Sequence, residues 1–294
     1  MIDFWQNEDV IFPVTVFLIP NLLKENAVPV TRRAIQTLCA CGARVLLPAA
    51  VRGCMAGEPA EFLEDAAAFD RCDVIVTVGG DGTILHAARC SIGCAKPLLG
   101  INVGRVGFLA TVEADEMEKL ERLVHGAYSL DRRSLLSVSV SGQNRFRQTA
   151  LNDVVICKAS PFRTIDIEIF CDDIPVGRYM GDGVAIATPT GSTAYSLSAG
   201  GPVLDAHIAG IVVTPICAHS LHSPPMVFSA ERRLCVRVSA PGQAHALLSC
   251  DGCEPETVSC RDAVTAALSE QFISLICFNE ADQFEAIDKK LRGR

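Results

Sequence analysis

No run of Lys and Arg longer than a pair occurs in this chain, and Asp and Glu outnumber Lys and Arg 34 to 26 for a formal net charge of -8. Phosphate backbones are held by clustered basic side chains, so no general nucleic-acid surface is expected. No uninterrupted apolar segment reaches the roughly 20 residues that span a bilayer, and no membrane association is expected either. Met1 to Glu8 carries acidic and polar residues where a secretory signal would be basic and then apolar, which makes a cytoplasmic location the expectation. Internal repeats, low-complexity tracts and flexible linkers are also missing. Cysteine is abundant, but its metal-binding spacing is not. The fourteen cysteines fall mostly in apolar segments, such as Cys39, Cys41, Cys90, Cys94, Cys157, Cys217 and Cys235, and read as small core residues and free thiols. Cys250 and Cys253 have the two-residue gap of a zinc pair without a second pair or a His pair, so no metal site is assigned.

What is present is ordinary globular material: 294 residues, 49% hydrophobic and 20% charged, enough for two domains with ample core. Val10 to Ile19 reads as a buried strand. A helix follows with Thr31 as its N-cap, Ala34, Leu38 and Cys41 on one face and Gly42 at its end. Ala43 to Leu47 is a second strand, and Pro59 opens a helix that buries Phe62, Ala66 and Phe69. Asp73 to Val78 and Lys96 to Asn102 are further strands, with a helix-like Ile84 to Cys90 between them. Asp115 with Glu118 marks one more helix start, carrying Met117, Leu120 and Val124. This alternation predicts a mainly parallel, Rossmann-like sheet. Beyond about Tyr128 the period becomes two, as in Ile165, Ile167 and Ile169 or Leu234, Val236 and Val238, which predicts an all-β, sandwich-like domain. Strand-helix periodicity returns in Phe272 to Phe278 and in a final helix with Phe284, Ile287 and Leu291. The expected domains are therefore 1–127 with 272–294 for the α/β part, and 128–271 for the β-rich part.

The chain is organised around Gly79-Gly80-Asp81-Gly82-Thr83, where a buried strand runs into a glycine turn and then a helix. Glycines let an anion approach the backbone, and a helix start supplies unpaired N–H groups and the positive dipole end. Gly79, Gly80, Gly82 and Thr83 are thus candidate phosphate-binding residues. Asp81 would repel phosphate unless a metal ion neutralises it or it handles an attacking hydroxyl, and a tight turn with Asp81 as a helix cap would show the same residues. Val103-Gly104-Arg105-Val106-Gly107-Phe108 is a second glycine loop, expected beside the first beyond the carboxyl ends of the strands. A second informative stretch runs from Gly181 to Pro202, a short strand leading into a loop dense in Ser and Thr, with Tyr195 offering a face on which a base could stack.

Gly79 to Thr83, Asn102 to Leu109, Asn152-Asp153, Thr188 to Pro202 and Thr214 to Leu221, in this order, resemble the motif set of NAD kinases. The glycine-Asp loop alone is shared with lipid kinases of the diacylglycerol and sphingosine type, whereas the long Thr188 to Pro202 stretch is specific. The resemblance implies ATP- and Mg²⁺-dependent phosphorylation of the 2′-hydroxyl of the adenosine ribose of NAD, giving NADP. It makes Asp81 the catalytic base and places Asp81, Gly82, Phe108, Asn152, Asp153, Asp182, Thr193, Ala194, Tyr195 and Ser198 around NAD, with Asp182 towards the nicotinamide. It also implies a homodimer or homotetramer. Met180 and Gly252 depart from the family pattern. A lipid kinase and a non-enzymatic dinucleotide-binding regulator are the alternative readings.

Overall fold

The structure, a computed structural model, describes residues 13–104, 107–220, 223–239, 245–279 and 287–288. Val10, Arg105, Val106, Leu221, Phe284 and Leu291, which the sequence reading placed in elements or loops, lie outside the described residues. The chain divides into two compact units, one drawn from 1–87, 96–130 and 276–294 and the other from 88–95 and 131–275. Among the described residues no helix is long and apolar enough to cross a membrane.

The first unit alternates β1 (Thr15–Pro20), α1 (Ala27–Ala40), β2 (Arg44–Pro48), β3 (Glu61–Leu63), α2 (Asp65–Arg71), β4 (Val74–Gly79), α3 (Asp81–Cys90), β5 (Leu98–Asn102), β6 (Val112–Glu113) and α4 (Lys119–Val124). Its six strands are parallel in the order β3-β2-β1-β4-β5-β6. Every residue of β4 and β5 is buried, as the unbroken apolar runs require of a sheet covered on both faces. The chain steps outward from β1 to β2 and β3, then returns past β1 to β4 and β5. That reversal opens a crevice beyond the carboxyl ends of β1 and β4. Ile276 is buried in this unit's core, and its carbonyl accepts the Thr111 hydroxyl at 3.0 Å.

Three local expectations need correction. Thr31 does not cap α1: the helix starts at Ala27, after Asn26 in a left-handed conformation, and the buried Thr31 hydroxyl bonds the Ala27 carbonyl one turn back at 2.6 Å. Phe62 lies on the short strand β3 rather than on a helix, and Ala66 is exposed; α2 buries Ala68 and Phe69, the latter edge-on to Phe17 at 5.0 Å. The helix after the glycine turn opens at Asp81, three residues before Ile84, so Gly82 and Thr83 are in its first turn. Gly42 does end α1, with φ +86° and its N–H on the Cys39 carbonyl at 3.0 Å.

The second unit continues with β7 (Ser129–Ser141), β8 (Phe146–Ala150), β9 (Asp153–Lys158), β10 (Ile165–Cys171), β11 (Ile174–Gly181), β12 (Gly183–Ala187), the single-turn α5 (Tyr195–Ser198), β13 (Gly210–Ile216), β14 (Met226–Ser229), β15 (Leu234–Ser239), β16 (Ala246–Cys250), β17 (Glu256–Val258) and β18 (Ala263–Cys277). One antiparallel sheet orders β14-β13-β12-β9-β16-β17, and a second set orders β11-β10-β15-β18, with the β7-β8 pair joined at β18. Val154, Ile156, Val184 and Ile186 from the first pack in one core with Ile165, Ile167, Ile169 and Val236 from the other. This is the α/β plus sandwich-like all-β class that the periodicities predict. The strand expected from Phe272 is only the end of the 15-residue β18. Polar, exposed Glu270 and Gln271 interrupt its apolar pattern without ending the strand.

Candidate active site

At the crevice of the first unit, a cleft of about 580 Å³ is lined by the residues after β1, Asn21 and Lys24 to Asn26, by Gly80 to Thr83, and by Val103, Gly104 and Gly107. The two glycine loops are neighbours here. Asp81 joins them: its Oδ2 accepts the Phe108 N–H at 2.9 Å and its Oδ1 the Leu109 N–H at 3.1 Å. Gly107 makes this approach possible, since a β-carbon there would lie 2.0 Å from Asp81 Oδ1. Gly79 has a different duty beneath the cleft, where a β-carbon would meet Thr83 Oγ1 at 2.1 Å. At Gly80 and Gly82 a β-carbon would find nothing within 4 Å, so these two backbones face open space at a helix start. Asn21 ties β1 to the loop through its N–H on the Val78 carbonyl at 2.9 Å and its side chain towards Thr83 Oγ1 at 3.5 Å.

In the second unit the Ser/Thr-rich stretch after β12 is tightly cross-bonded. Thr188 donates its hydroxyl to the Leu151 carbonyl at 2.6 Å and its N–H to the Asn152 carbonyl at 2.8 Å, and accepts the Gly191 N–H at 3.0 Å. Only glycine fits at 191, because a β-carbon would lie 1.9 Å from the Asn152 carbonyl oxygen. Ser196 and Thr214 share a hydroxyl bond of 2.8 Å, and Ser192 Oγ accepts the Leu204 N–H at 3.0 Å. The start of β9 is held from the other side by Asp251, whose carboxylate accepts the N–H groups of Leu151, Asn152 and Asp153 at 2.7, 2.8 and 3.1 Å. Burial and then the Asp251 charge push the Asp153 carboxyl up to about 7, against the pull of the Tyr195 N–H. Burial also raises Asp251, with the three N–H donors opposing it. The Asn152 side chain is half-buried, and Tyr195 is 48% exposed, so neither is spent on the core.

Residues 16–128 match the family model of the ATP-NAD kinase N-terminal domain, and residues 151–277 match that of the ATP-NAD kinase C-terminal domain. The chain belongs to the NAD kinase family. Among curated relatives, an NAD kinase of Symbiobacterium thermophilum is 36% identical over 94% of this chain and 98% of its own length. One of Acetivibrio thermocellus is 33% identical over 94% and 96%. A crystal structure of yeast NADH kinase complexed with NADH superposes with a TM-score of 0.84 at 25% identity, covering 99% of this chain and 89% of the other. An NAD kinase from Archaeoglobus fulgidus in complex with ATP gives 0.71 at 26% identity, over 95% and 98%.

Of the residues expected around the NAD kinase substrates, Gly80, Asp81, Gly82 and Thr83 share the cleft of the first unit, and Phe108 meets Asp81 through its backbone. Within the second unit, Asn152, Asp153 and Tyr195 come together, with Thr193 and Ala194 bonded back to Thr190 and Gly191, and Ser198 bonded to Ala194 at 3.5 Å. Asp182 does not join them. It precedes β12 while Asp153 pairs with Ala187 at its far end, a span of roughly 17 Å at strand rise. Its carboxylate instead pairs with Lys158 Nζ at 2.6 Å. Sequence reasoning passed over Asn21, Lys24 and Glu25, which a strand order alone brings to the cleft. It also passed over the grip of Asp251 on a segment about a hundred residues earlier; the local signal was an Asp-Gly pair of hairpin-turn type.

Proposed function

We propose that this chain phosphorylates the 2′-hydroxyl of the adenosine ribose of NAD at the expense of ATP, with Asp81 as the base. The observation that carries the reading is the position of Asp81: its carboxylate is fixed by two backbone N–H groups on the wall of a cleft floored by open glycine backbone at a helix start. Phosphoryl transfer asks a protein mainly for positioning and charge stabilisation. Asp81 accepts the 2′-hydroxyl proton as that oxygen bonds the γ-phosphorus and the bond to the β-phosphate oxygen breaks, releasing ADP. Gly80 and Gly82 offer backbone N–H groups to phosphate oxygens at the start of α3, and Thr83, whose own N–H is held by the Gly80 carbonyl at 2.8 Å, offers its hydroxyl. Asn152, Asp153 and the exposed ring of Tyr195 hold the adenosine end, and Asp182, at the other end of β12, suits the far half of an extended dinucleotide.

Mg²⁺ keeps water and phosphate oxygens and takes one or two carboxylates from a protein. Asp81 and Glu25 line the cleft, and among the described residues no group of three or more His, Cys, Asp or Glu forms a cage, a donor set that fits an ion arriving with the triphosphate. When bound, it would neutralise charge on the phosphates. The NADH and ATP bound in the two structural neighbours belong to those proteins and support the same pair of ligands here. A cytoplasmic homodimer or homotetramer completes the reading. The test is purified protein with ATP, Mg²⁺ and NAD, assayed for NADP; turnover of a sphingoid base or diacylglycerol without NADP would replace it with a lipid kinase.

A further inference from the structure

Cys250 and Cys253 are two thiols three residues apart that the site does not use. Cys250 ends β16 and Cys253 returns its N–H to the Cys250 carbonyl at 3.0 Å. Asp251 and Gly252 between them have φ of +50° and +69°. Positive φ at both central residues with this bond is a type I′ turn, whose end Cα atoms lie within about 7 Å of each other. Disulfides bridge Cα atoms about 4.4–6.8 Å apart, so the turn holds the two backbones near the separation that a bond needs. The residue at the tip of the turn is Asp251, the carboxylate that holds Leu151, Asn152 and Asp153 in place.

We infer that Cys250 and Cys253 form a reversible intramolecular disulfide, and that closing it draws Asp251 away from the start of β9 and weakens the hold on the dinucleotide. The two thiols have unequal surroundings. Cys253 is half-buried and its sulfur accepts a hydrogen bond from Arg89 Nη1, so negative charge developing there faces a guanidinium. Cys250 is 3% exposed, and burial followed by the Asp251 charge pushes its thiol up to about 12. Cys253 is therefore the attacking sulfur and Cys250 the resolving one. With hydrogen peroxide as oxidant, the Cys253 thiolate takes one peroxide oxygen, the O–O bond breaks, and a sulfenic acid and hydroxide form. The hydroxide leaves as water after gaining a proton. Cys250 sulfur then attacks Cys253 sulfur, the S–O bond breaks, and a second water carries off the Cys250 proton. Two thiols lose two electrons, and one peroxide becomes two waters. The bond requires the β-carbons to lie about 3.5–4.5 Å apart, and Asp251 is within the turn that must adjust to meet that distance.

The functional half of this inference rests on the reading of Asn152 and Asp153 as dinucleotide contacts; the disulfide itself does not. Full-length protein is treated with hydrogen peroxide, its remaining thiols are alkylated, and the peptide spanning the pair is fragmented. A Cys250–Cys253 link, absent after dithiothreitol, is the expected result. A link from Cys253 to Cys260 instead, or no link while other cysteines oxidise, overturns the disulfide. NAD titrations of the oxidised and reduced forms then read its effect. Losing one hydrogen bond to a charged group corresponds to roughly tenfold in affinity, which is the expected loss on oxidation and recovery on reduction. Cys253→Ser binds NAD as the reduced wild type does and is insensitive to peroxide in this readout. A mapped disulfide with unchanged NAD affinity overturns the switch. Reduced protein that binds no NAD sinks the dinucleotide reading and with it the claimed effect on binding, while the mapped link still stands.

Discussion

The cleft of the first unit and the polar cluster of the second solve opposite problems. The first approaches its ligand with bare backbone: Gly80 and Gly82 leave open space at the start of α3, and the one reactive side chain, Asp81, is pinned by N–H groups from another loop. The second is crowded with side chains. Thr188, Ser192, Ser196 and Thr214 bond one another or nearby backbone, two buried carboxylates face each other, and a glycine is required because a carbonyl fills the space beside it. A region built of open backbone can lose function without losing stability. A region built of buried, mutually bonded groups loses both together.

The largest effect is expected at Asp251. Asp251→Ala removes the acceptor for three backbone N–H groups, and each buried donor left unpaired costs about 1–3 kcal/mol. A loss of about 4 kcal/mol in denaturant unfolding is expected, and a loss below 1 kcal/mol would mean that β9 is held by other means. Next comes the pH dependence set by Asp153. Its folded carboxyl titrates at about 7 against an ordinary 3.8, so across that window the unfolded chain releases a proton that the folded chain keeps. The stability this group contributes is whole below about pH 4 and is lost as pH rises through about 7. On the order of 4 kcal/mol is involved. Asp153→Asn should flatten that slope in urea unfolding between pH 5 and pH 8; an unchanged slope would assign the pH dependence to other groups.

A matched pair of glycines puts the contrast between the units to a sharper test. Gly191→Ala drives a β-carbon into the Asn152 carbonyl and should cost about 2 kcal/mol of stability. Gly82→Ala meets nothing and sits in a helix, where alanine is favoured by up to about 1 kcal/mol, so its Tm should hold or rise while the KM for ATP increases. Equal destabilisation by both would break the comparison. Smaller again is Tyr195→Ala, which removes a half-exposed stacking face present in ground and transition states alike. A rise of roughly tenfold in KM for NAD with little change in kcat is expected from steady-state kinetics.

Both halves of the fold were legible wherever the period was clean: the glycine-ended α1, the fully buried β4 and β5, and the alternating β10 and β15. It was least legible where a local rule had a competitor. Thr31 has the chemistry of an N-cap, yet it serves a carbonyl one turn back inside the helix, and Asn26 enters α1 from a left-handed conformation with no side-chain cap. Phe62 fits a helical face, but the register with Leu47 makes it a strand residue. In the site, the glycine-Asp loop and the hydroxyl-rich stretch announce themselves because each is contiguous. Asn21, Lys24 and Asp251 do not, since what brings them to their places is strand order and pairing between distant segments, which no local pattern carries.

The central claim is that Asp81 acts on the reacting hydroxyl while other residues hold the dinucleotide. Asp81→Asn keeps the size of the side chain and one oxygen for either the Phe108 or the Leu109 N–H, sets an amide donor against the other, and loses the basic carboxylate. NAD affinity by titration and kcat by steady-state kinetics, measured on the same preparation, separate the two roles. A positioned base contributes roughly two to four orders of magnitude in rate, so kcat should fall on that scale while the Kd for NAD changes by less than about threefold. Loss of NAD binding with near-normal turnover at saturation would make Asp81 a binding residue and contradict the account.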